Sequence, residues 1–103
     1  MHQFLHKFRE TILKLSLAQA MDIARGGHFE GVPDSYPSGA WFIYGDETCD
    51  YECMMIEYLY WGIGTYLGYF DDDEICDDLS NEWKICSRSK SWKITNHAFH
   101  YHF

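Results

Sequence analysis

Residues 48–70 read TCDYECMMIEYLYWGIGTYLGYF, and this stretch decides the fold of the chain. Its body, from Met54 to Phe70, is apolar nearly all round, which predicts a central core helix. Thr48 or Asp50 can cap this helix, because their side-chain oxygens can accept hydrogen bonds from the free amides of a first turn. Glu57 lies inside the apolar run, and acidic residues flank it on both sides, so we expect no membrane span.

The residues before this helix supply its predicted packing partners. Apolar residues recur at three- and four-residue spacing over residues 4–25, which predicts an amphipathic helix. Two prolines and four glycines make Gly26 to Gly39 a loop. The apolar run Ala40–Tyr44 then predicts a buried strand or extended segment. The sequence therefore predicts an α+β fold, mostly α-helical, in which the central apolar helix packs on the N-terminal helix with a short extended segment.

Acidic residues fill the middle of the chain. Between Gly31 and Glu82 there are thirteen Asp and Glu residues and no Lys, Arg or His, so this block carries −13 within a chain of net charge −8. Binding to phosphate groups needs clustered Lys and Arg, so the block argues against nucleic acid and against an anionic membrane surface. Such a block meets the weakly basic ends of its own chain, meets a cation or repels itself, and a cation or a basic protein is the expected partner.

The densest carboxylates, Asp71-Asp72-Asp73-Glu74, directly follow the predicted core helix, and Ile75, Leu79 and Trp83 mark a short third helix after them. Hard cations such as calcium bind several oxygen ligands from a flexible loop. Four carboxylates fall at positions 1, 3, 7 and 12 of an EF-hand count: Asp71, Asp73, Asp77 and Glu82. The chain has Ile75 and Cys76 where that loop needs an oxygen ligand and a glycine, so it is not an EF-hand. The hypotheses are an irregular calcium site on these four carboxylates or a solvated acidic turn.

Two further sets of ionisable residues are candidates for chemistry. Burial of Glu57 among aromatic residues would raise its pKa, as in a general acid or base, and the alternative is a half-exposed glutamate. His2 and His6 are one helical turn apart, as two zinc ligands on a helix would be, and a second cluster consists of His97, His100 and His102. Weak adventitious metal binding is the alternative to a zinc site. No catalytic motif is complete, which favours a role other than that of an enzyme by itself.

Four cysteines, Cys49, Cys53, Cys76 and Cys86, suit two disulfides and an oxidising compartment. Three pairings are possible, and Cys49–Cys53 with Cys76–Cys86 would close two short loops. The alternative is four reduced thiols in a cytosolic protein. Residues 1–86 are predicted to form one small disulfide-stabilised domain. Residues 87–103 form a basic, His-rich tail, interpreted as loosely ordered or as an edge strand.

One stretch resembles a known group of sequences. Thr48–Cys53, Glu57–Gly62, Thr65 and Leu67-Gly68 resemble a segment of uncharacterised secreted proteins of marine microbes and invertebrates, and Asn81–Lys84 continues the resemblance. It covers about residues 20–86. It implies an extracellular, disulfide-bonded, helical segment of a longer protein, whose similar members carry a metallopeptidase-like region upstream.

These observations favour a secreted, acidic, disulfide-stabilised binding or accessory module. No clear signal peptide is present, because Lys14 interrupts the apolar stretch that ends in Ala18-Gln19-Ala20. The alternatives are a fragment of a metal-dependent hydrolase, with Glu57 and the acidic loop near its site and calcium or zinc as cofactor, and an intracellular acidic interaction protein with reduced cysteines.

Overall fold

The computed structural model describes residue 14 and residues 16–90. Within them the fold is mostly helical, as the sequence predicts. Helix α1 covers residues 16–25, α2 is Tyr51–Tyr66 and α3 is Asp73–Leu79, and a short 3₁₀ turn follows at Arg88–Lys90. The start of the predicted first helix, residues 4–13, and the tail residues 91–103 lie outside the described residues.

Helix α1 ends at a glycine, as its sequence predicts. Gly26 has a φ of 79°, a left-handed conformation that glycine adopts without steric penalty. The amides of Gly26 and Gly27 donate to the carbonyls of Ile23 and Asp22, which closes the last turn of the helix. The chain can therefore turn sharply at this point and enter the loop over residues 27–39.

Helix α2 begins with a side-chain cap and ends with a glycine. Asp50, one of the two predicted caps, accepts a hydrogen bond from the Cys53 amide at 2.9 Å. At the other end Gly68 has a φ of 81°, and the Tyr69 amide donates to the Gly64 carbonyl at 2.9 Å. The helix thus ends at Tyr66, four residues before the predicted end.

This early end changes the position of the acidic run. Asp72 is the N-cap of α3, and its carboxylate accepts from the Glu74 and Ile75 amides. Asp73 and Glu74 lie in the first turn of α3, where carboxylates interact favourably with the helix dipole. Four carboxylates at the C-terminus of the core helix would oppose its dipole, and the sequence offers an early helix end at Gly68, a basic side chain or a metal ion as ways to offset this. The structure shows the early end.

The predicted extended segment is present, but it is not part of a β-sheet in the described residues. Phe42 and Trp83 form a single antiparallel bridge. The Trp41 and Phe42 amides both donate to the carbonyl of Ala24, at the end of α1. Because this segment bonds to a helix end on one side and to the Glu82–Lys84 turn on the other, no ladder extends beyond the bridge. The β part of the predicted α+β class is therefore corrected to an isolated bridge.

Aromatic rings fill the core. The ring of Trp83 is fully buried, and its centroid lies 5.3 Å from that of Trp41, 5.8 Å from Phe42 and 5.9 Å from Tyr58. Its Nε1 donates to Thr65 Oγ1 at 2.8 Å. The core cluster consists of Ala20, Met21, Ala24, Trp41, Phe42, Cys49, Met54, Met55, Tyr58, Trp83, Ile85 and Cys86. It draws residues from α1, α2, the extended segment and the chain after α3.

Two disulfides connect these parts. Cys49 pairs with Cys53 across the first turn of α2, with a Cα–Cα distance of 5.2 Å. Cys76 of α3 pairs with the buried Cys86, with a Cα–Cα distance of 5.6 Å. This is the one of the three possible pairings that closes two short loops. Since α3 has no buried residue of its own, the Cys76–Cys86 bond is its main attachment to the core.

Candidate functional site

The outer face of α2 exposes a row of large apolar side chains. Ile56 is 69% exposed, Tyr60 61%, Ile63 44% and Leu67 45%. Their spacing of four, three and four residues places them on one face of the helix. The opposite face carries buried side chains, among them that of Tyr58. We call the four exposed residues the α2 stripe.

The α2 stripe lacks the polar residues that normally cover the solvent side of a helix. Glu52 and Glu57 are the only charged residues of α2. Single exposed apolar residues are ordinary on protein surfaces, but a contiguous row along three turns is typical of a contact surface. The sequence predicts a helix that is apolar all round, and the structure buries one side of it. The other side is the feature of the molecule that most clearly indicates binding.

A groove lies at the N-terminal end of the α2 stripe. It has a volume of about 220 Å³ and lies between α1 and α2, lined by Lys14, Leu17, Glu52, Met55, Ile56 and Leu59. Lys14 and Glu52 form an exposed ion pair at its edge. Ile56 belongs to the α2 stripe and also lines the groove, so the groove extends the apolar surface of the stripe toward α1.

Phe70 forms one flank of the α2 stripe. After the turn at Gly68 the chain folds back, and the Phe70 ring lies against Gly64, where a Cβ atom would collide with it. The ring centroid lies 5.5 Å from Trp61 and 6.4 Å from Tyr60 of the stripe. Glycine at this position therefore allows the aromatic ring to approach the helix backbone closely. Asp71–Glu74 follow Phe70 directly, so the acidic run begins beside the stripe.

Glu57, the candidate catalytic residue, is half-buried. It lies two helical turns before Gly64, and therefore on the side of α2 against which Phe70 packs. It lies near the hydroxyl of Tyr44, together with Asp46 and Glu82. Burial, and then the negative charge of these three carboxylates, raises the pKa of Tyr44. This arrangement concentrates negative charge, and the catalytic role of Glu57 stays a prediction.

The predicted metal ligands do not form a metal-binding cluster. Across residue 14 and residues 16–90, no three His, Cys, Asp or Glu side chains come together as a group that could hold a metal ion. Asp71, Asp73 and Asp77 are exposed and Glu82 is half-buried. The role of these four carboxylates as calcium ligands stays a prediction. The predicted zinc ligands at the two chain ends fall outside the described residues.

A polar network that the sequence analysis did not predict joins α1 to the start of α2. His28 bonds to the carboxylates of Asp22 and Glu30 at 2.9 and 3.0 Å, and the Tyr51 hydroxyl donates to Asp22 at 2.6 Å. The hydrogen bond to Asp22, followed by that to Glu30, raises the pKa of His28. The His28 and Tyr51 rings lie 4.8 Å apart. Asp22 therefore connects the loop after α1 with the first turn of α2.

Arg25 holds the loop after α1. Its guanidinium is fully buried and donates to the carbonyls of Phe29 and Gly31 at 2.7 and 2.6 Å. It also lies over the rings of Phe29 and Tyr36, 5.4 and 5.7 Å from their centroids. These contacts fix the path of the loop around the guanidinium.

No protein-family model, no curated protein and no solved structure matches this chain. Within the part of the chain that the structure describes, no helix has both the length and the apolar character to cross a membrane. The interpretation of the site therefore depends on the geometry and charge of its own residues.

Proposed function

We propose that this chain is a secreted, disulfide-stabilised binding module whose binding face is the α2 stripe. The observation that carries the proposal is the exposure of Ile56, Tyr60, Ile63 and Leu67 on a helix whose other face is buried in the core. A protein partner that covered this row would remove apolar area from water, which is the main driving force of most protein association.

Secretion is supported by the cysteines. All four are paired in the described structure, and disulfides form and persist in oxidising compartments such as the extracellular space. The resemblance of the Thr48–Cys53 and Glu57–Gly62 segments to secreted proteins supports the same compartment. A chain with a small core gains much from such bonds, because they restrict the unfolded state.

The α2 stripe suits a helical partner of moderate affinity. Burying the exposed part of each of its side chains contributes about 1 kcal/mol, judged from about 1.5–3 kcal/mol for a fully buried large apolar residue. Association also loses translational and side-chain freedom, which offsets part of this gain. If the partner buries a matching row of four apolar side chains, the gain before that cost is about 8 kcal/mol. We therefore expect an affinity no tighter than the micromolar range.

The test uses a neutral probe helix in which Leu residues with the spacing of the α2 stripe are set in a Gln background. Binding of the labelled probe to the full chain is measured by fluorescence anisotropy. We expect the double variant Ile56→Gln/Ile63→Gln to weaken binding by about tenfold, because it removes two apolar contacts.

The matched control is Ile23→Gln. Ile23 is 52% exposed but lies on α1, outside the α2 stripe. This variant should bind the probe as the unmodified chain does. Equal loss of binding in the control and the double variant, or no binding of the probe at all, would contradict the proposed binding face.

A further inference from the structure

We propose that the partner of the α2 stripe is a cationic amphipathic helix of another protein. The inference rests on the proposed function and adds the chemistry of the occupant. The exposed apolar row of the α2 stripe and a run of negatively charged residues lie next to each other on the molecule.

The shape of the surface fits a helix of about three turns. From Ile56 to Leu67 the helix axis advances by about 16 Å, at about 1.5 Å per residue. A helix lying along such a row contacts it through apolar residues spaced three and four apart. The groove beside Ile56 and Leu59 adds space for one large side chain at the end of the partner.

The charge around the row is negative on the flank described above. Glu57 follows Ile56 directly in α2, and the acidic run Asp71–Glu74 begins next to Phe70, whose ring contacts Tyr60. The sequence between Gly31 and Glu82 contains carboxylates and no basic residue. Its negative electrostatic potential attracts positively charged groups and speeds their association.

Two of the described cations are engaged within the chain. Lys14 is paired with Glu52, and the Arg25 guanidinium donates to the carbonyls of its own loop. Lys and Arg on the polar face of a partner helix would meet the exposed carboxylates of Asp73 and Glu74 in the acidic run.

Other occupants fit this surface less well. An anionic lipid surface would be repelled by the carboxylates beside the stripe. A second copy of the chain carries the same acidic run beside its stripe, and juxtaposed like charges disfavour association. A cationic helix satisfies both the apolar row and the charge on its flank.

The experiment compares three probe helices with the same Leu pattern and a background of Lys, Gln or Glu. Binding to the full chain is measured by anisotropy at about 20 mM and about 500 mM salt, since screening shortens the reach of surface charge. We expect the Lys probe to bind about tenfold more tightly than the Gln probe at low salt, and the Glu probe to bind most weakly. The preference should shrink to about twofold or less at high salt.

Two variants locate the charge preference. Glu57→Gln and Glu74→Gln should each reduce the advantage of the Lys probe about two- to fivefold, with binding of the Gln probe unchanged. Asp34→Asn is the control, because this exposed carboxylate lies in the loop that packs around Arg25, and it should change neither probe. The Ile56→Gln/Ile63→Gln variant should weaken binding of the Lys probe as well.

The outcomes separate this inference from the proposed function. Equal binding of the three probes, with loss in the stripe variant, would overturn the inference and leave the binding face in place. Absence of binding by all three would overturn both. Lys-probe binding that persists in the stripe variant would overturn the inference, because charge alone would explain it. A dimer seen by sedimentation and dissociated by Ile63→Gln would assign the stripe to a second copy and overturn the inference.

Discussion

Trp83 is fully buried among three other aromatic rings, and its only polar atom donates to Thr65 Oγ1 at 2.8 Å. Thr65 itself is fully buried on α2, so the bond joins the chain after α3 to the centre of this helix. Indole N–H groups that are buried in this way usually have a partner, because leaving one without an acceptor carries a desolvation penalty. This single contact therefore helps to fix how α2 lies on the core.

We predict that Thr65→Val lowers the free energy of unfolding by about 1–3 kcal/mol, because it keeps the shape of the side chain and removes the acceptor. Urea denaturation measures the loss. In the Trp83→Phe background the same substitution should have a smaller effect, since no indole donor is left. A loss of equal size in both backgrounds would show that the hydrogen bond is not the cause.

His28 gives the stability of the chain a dependence on pH. Its pKa is raised in the folded state, chiefly by the hydrogen bond to Asp22 and then by that to Glu30. A raised pKa means that the protonated form stabilises the fold. This contribution is fully present below the pKa of unfolded histidine, about 6.5, and is lost as the pH rises through the higher folded value.

We therefore expect His28→Gln to destabilise the chain at about pH 5.5 and to have a smaller effect at about pH 8. Urea denaturation of both proteins at several pH values gives the difference, and NMR titration of the His28 ring should give a pKa above that of a free histidine. A difference that is constant with pH, or a pKa below the usual value, would contradict the role given to Asp22 and Glu30.

At the scale of elements, the start of α2 could be read from the sequence and its end could not. Asp50 is a short acceptor just before an apolar run, and this local signal was sufficient. Gly62, Gly64 and Gly68 all occur in the same run, and nothing local distinguishes the glycine that ends the helix from those inside it. Inside the helix Gly64 lies against the Phe70 ring, a contact that depends on the tertiary fold.

The exposed side of α2 was also beyond the sequence pattern. An apolar residue at every helical angle predicts a helix covered on all sides. The structure covers the side of Met54, Tyr58 and Thr65 and leaves Ile56 and Tyr60 exposed. Periodicity records which residues are apolar, but the number of elements available to cover them follows from the packing of the whole chain. The candidate site was missed for this reason.

The attachment of α3 gives a prediction at the scale of elements. We expect Cys76→Ser/Cys86→Ser to lower the free energy of unfolding by about 2–4 kcal/mol, because it removes the bond that restricts the unfolded chain around α3. Because α3 has no buried residue, amide exchange in Asp73–Leu79 should accelerate more than exchange in α2.

The matched control is Cys49→Ser/Cys53→Ser, which opens a loop with a sequence separation of four instead of ten. The shorter loop should give the smaller loss of stability. Equal exchange rates for α3 with and without its disulfide would show that other contacts hold the helix in place.

For the whole molecule, the acidic block predicts a response to ionic strength. The block has thirteen carboxylates with no intervening Lys, Arg or His in the sequence, and Glu52 among them pairs with Lys14. Like charges in such a block repel each other, and salt screens this repulsion. We expect the thermal midpoint to rise between about 10 mM and about 300 mM NaCl. Choline chloride at the same ionic strength should have the same effect, because screening does not depend on the identity of the cation.

Addition of micromolar calcium, with the ionic strength held constant, provides the contrasting measurement. A rise in the midpoint at micromolar calcium, with no such rise in choline chloride, would show a specific cation site and would support the calcium hypothesis for Asp71, Asp73, Asp77 and Glu82. No additional rise at micromolar calcium is the result that the described structure leads us to expect.

The Cys49–Cys53 bond has a consequence for the chain before it folds. It closes a ring across the cap residue Asp50 and the first turn of α2. Helix nucleation is unfavourable because several residues must be ordered before the first hydrogen bond is gained. In the oxidised chain the disulfide already imposes part of that ordering. The first turn of α2 is therefore easier to form in the denatured ensemble. Formation of this bond would thus favour α2, which carries the proposed binding face, before the core has formed.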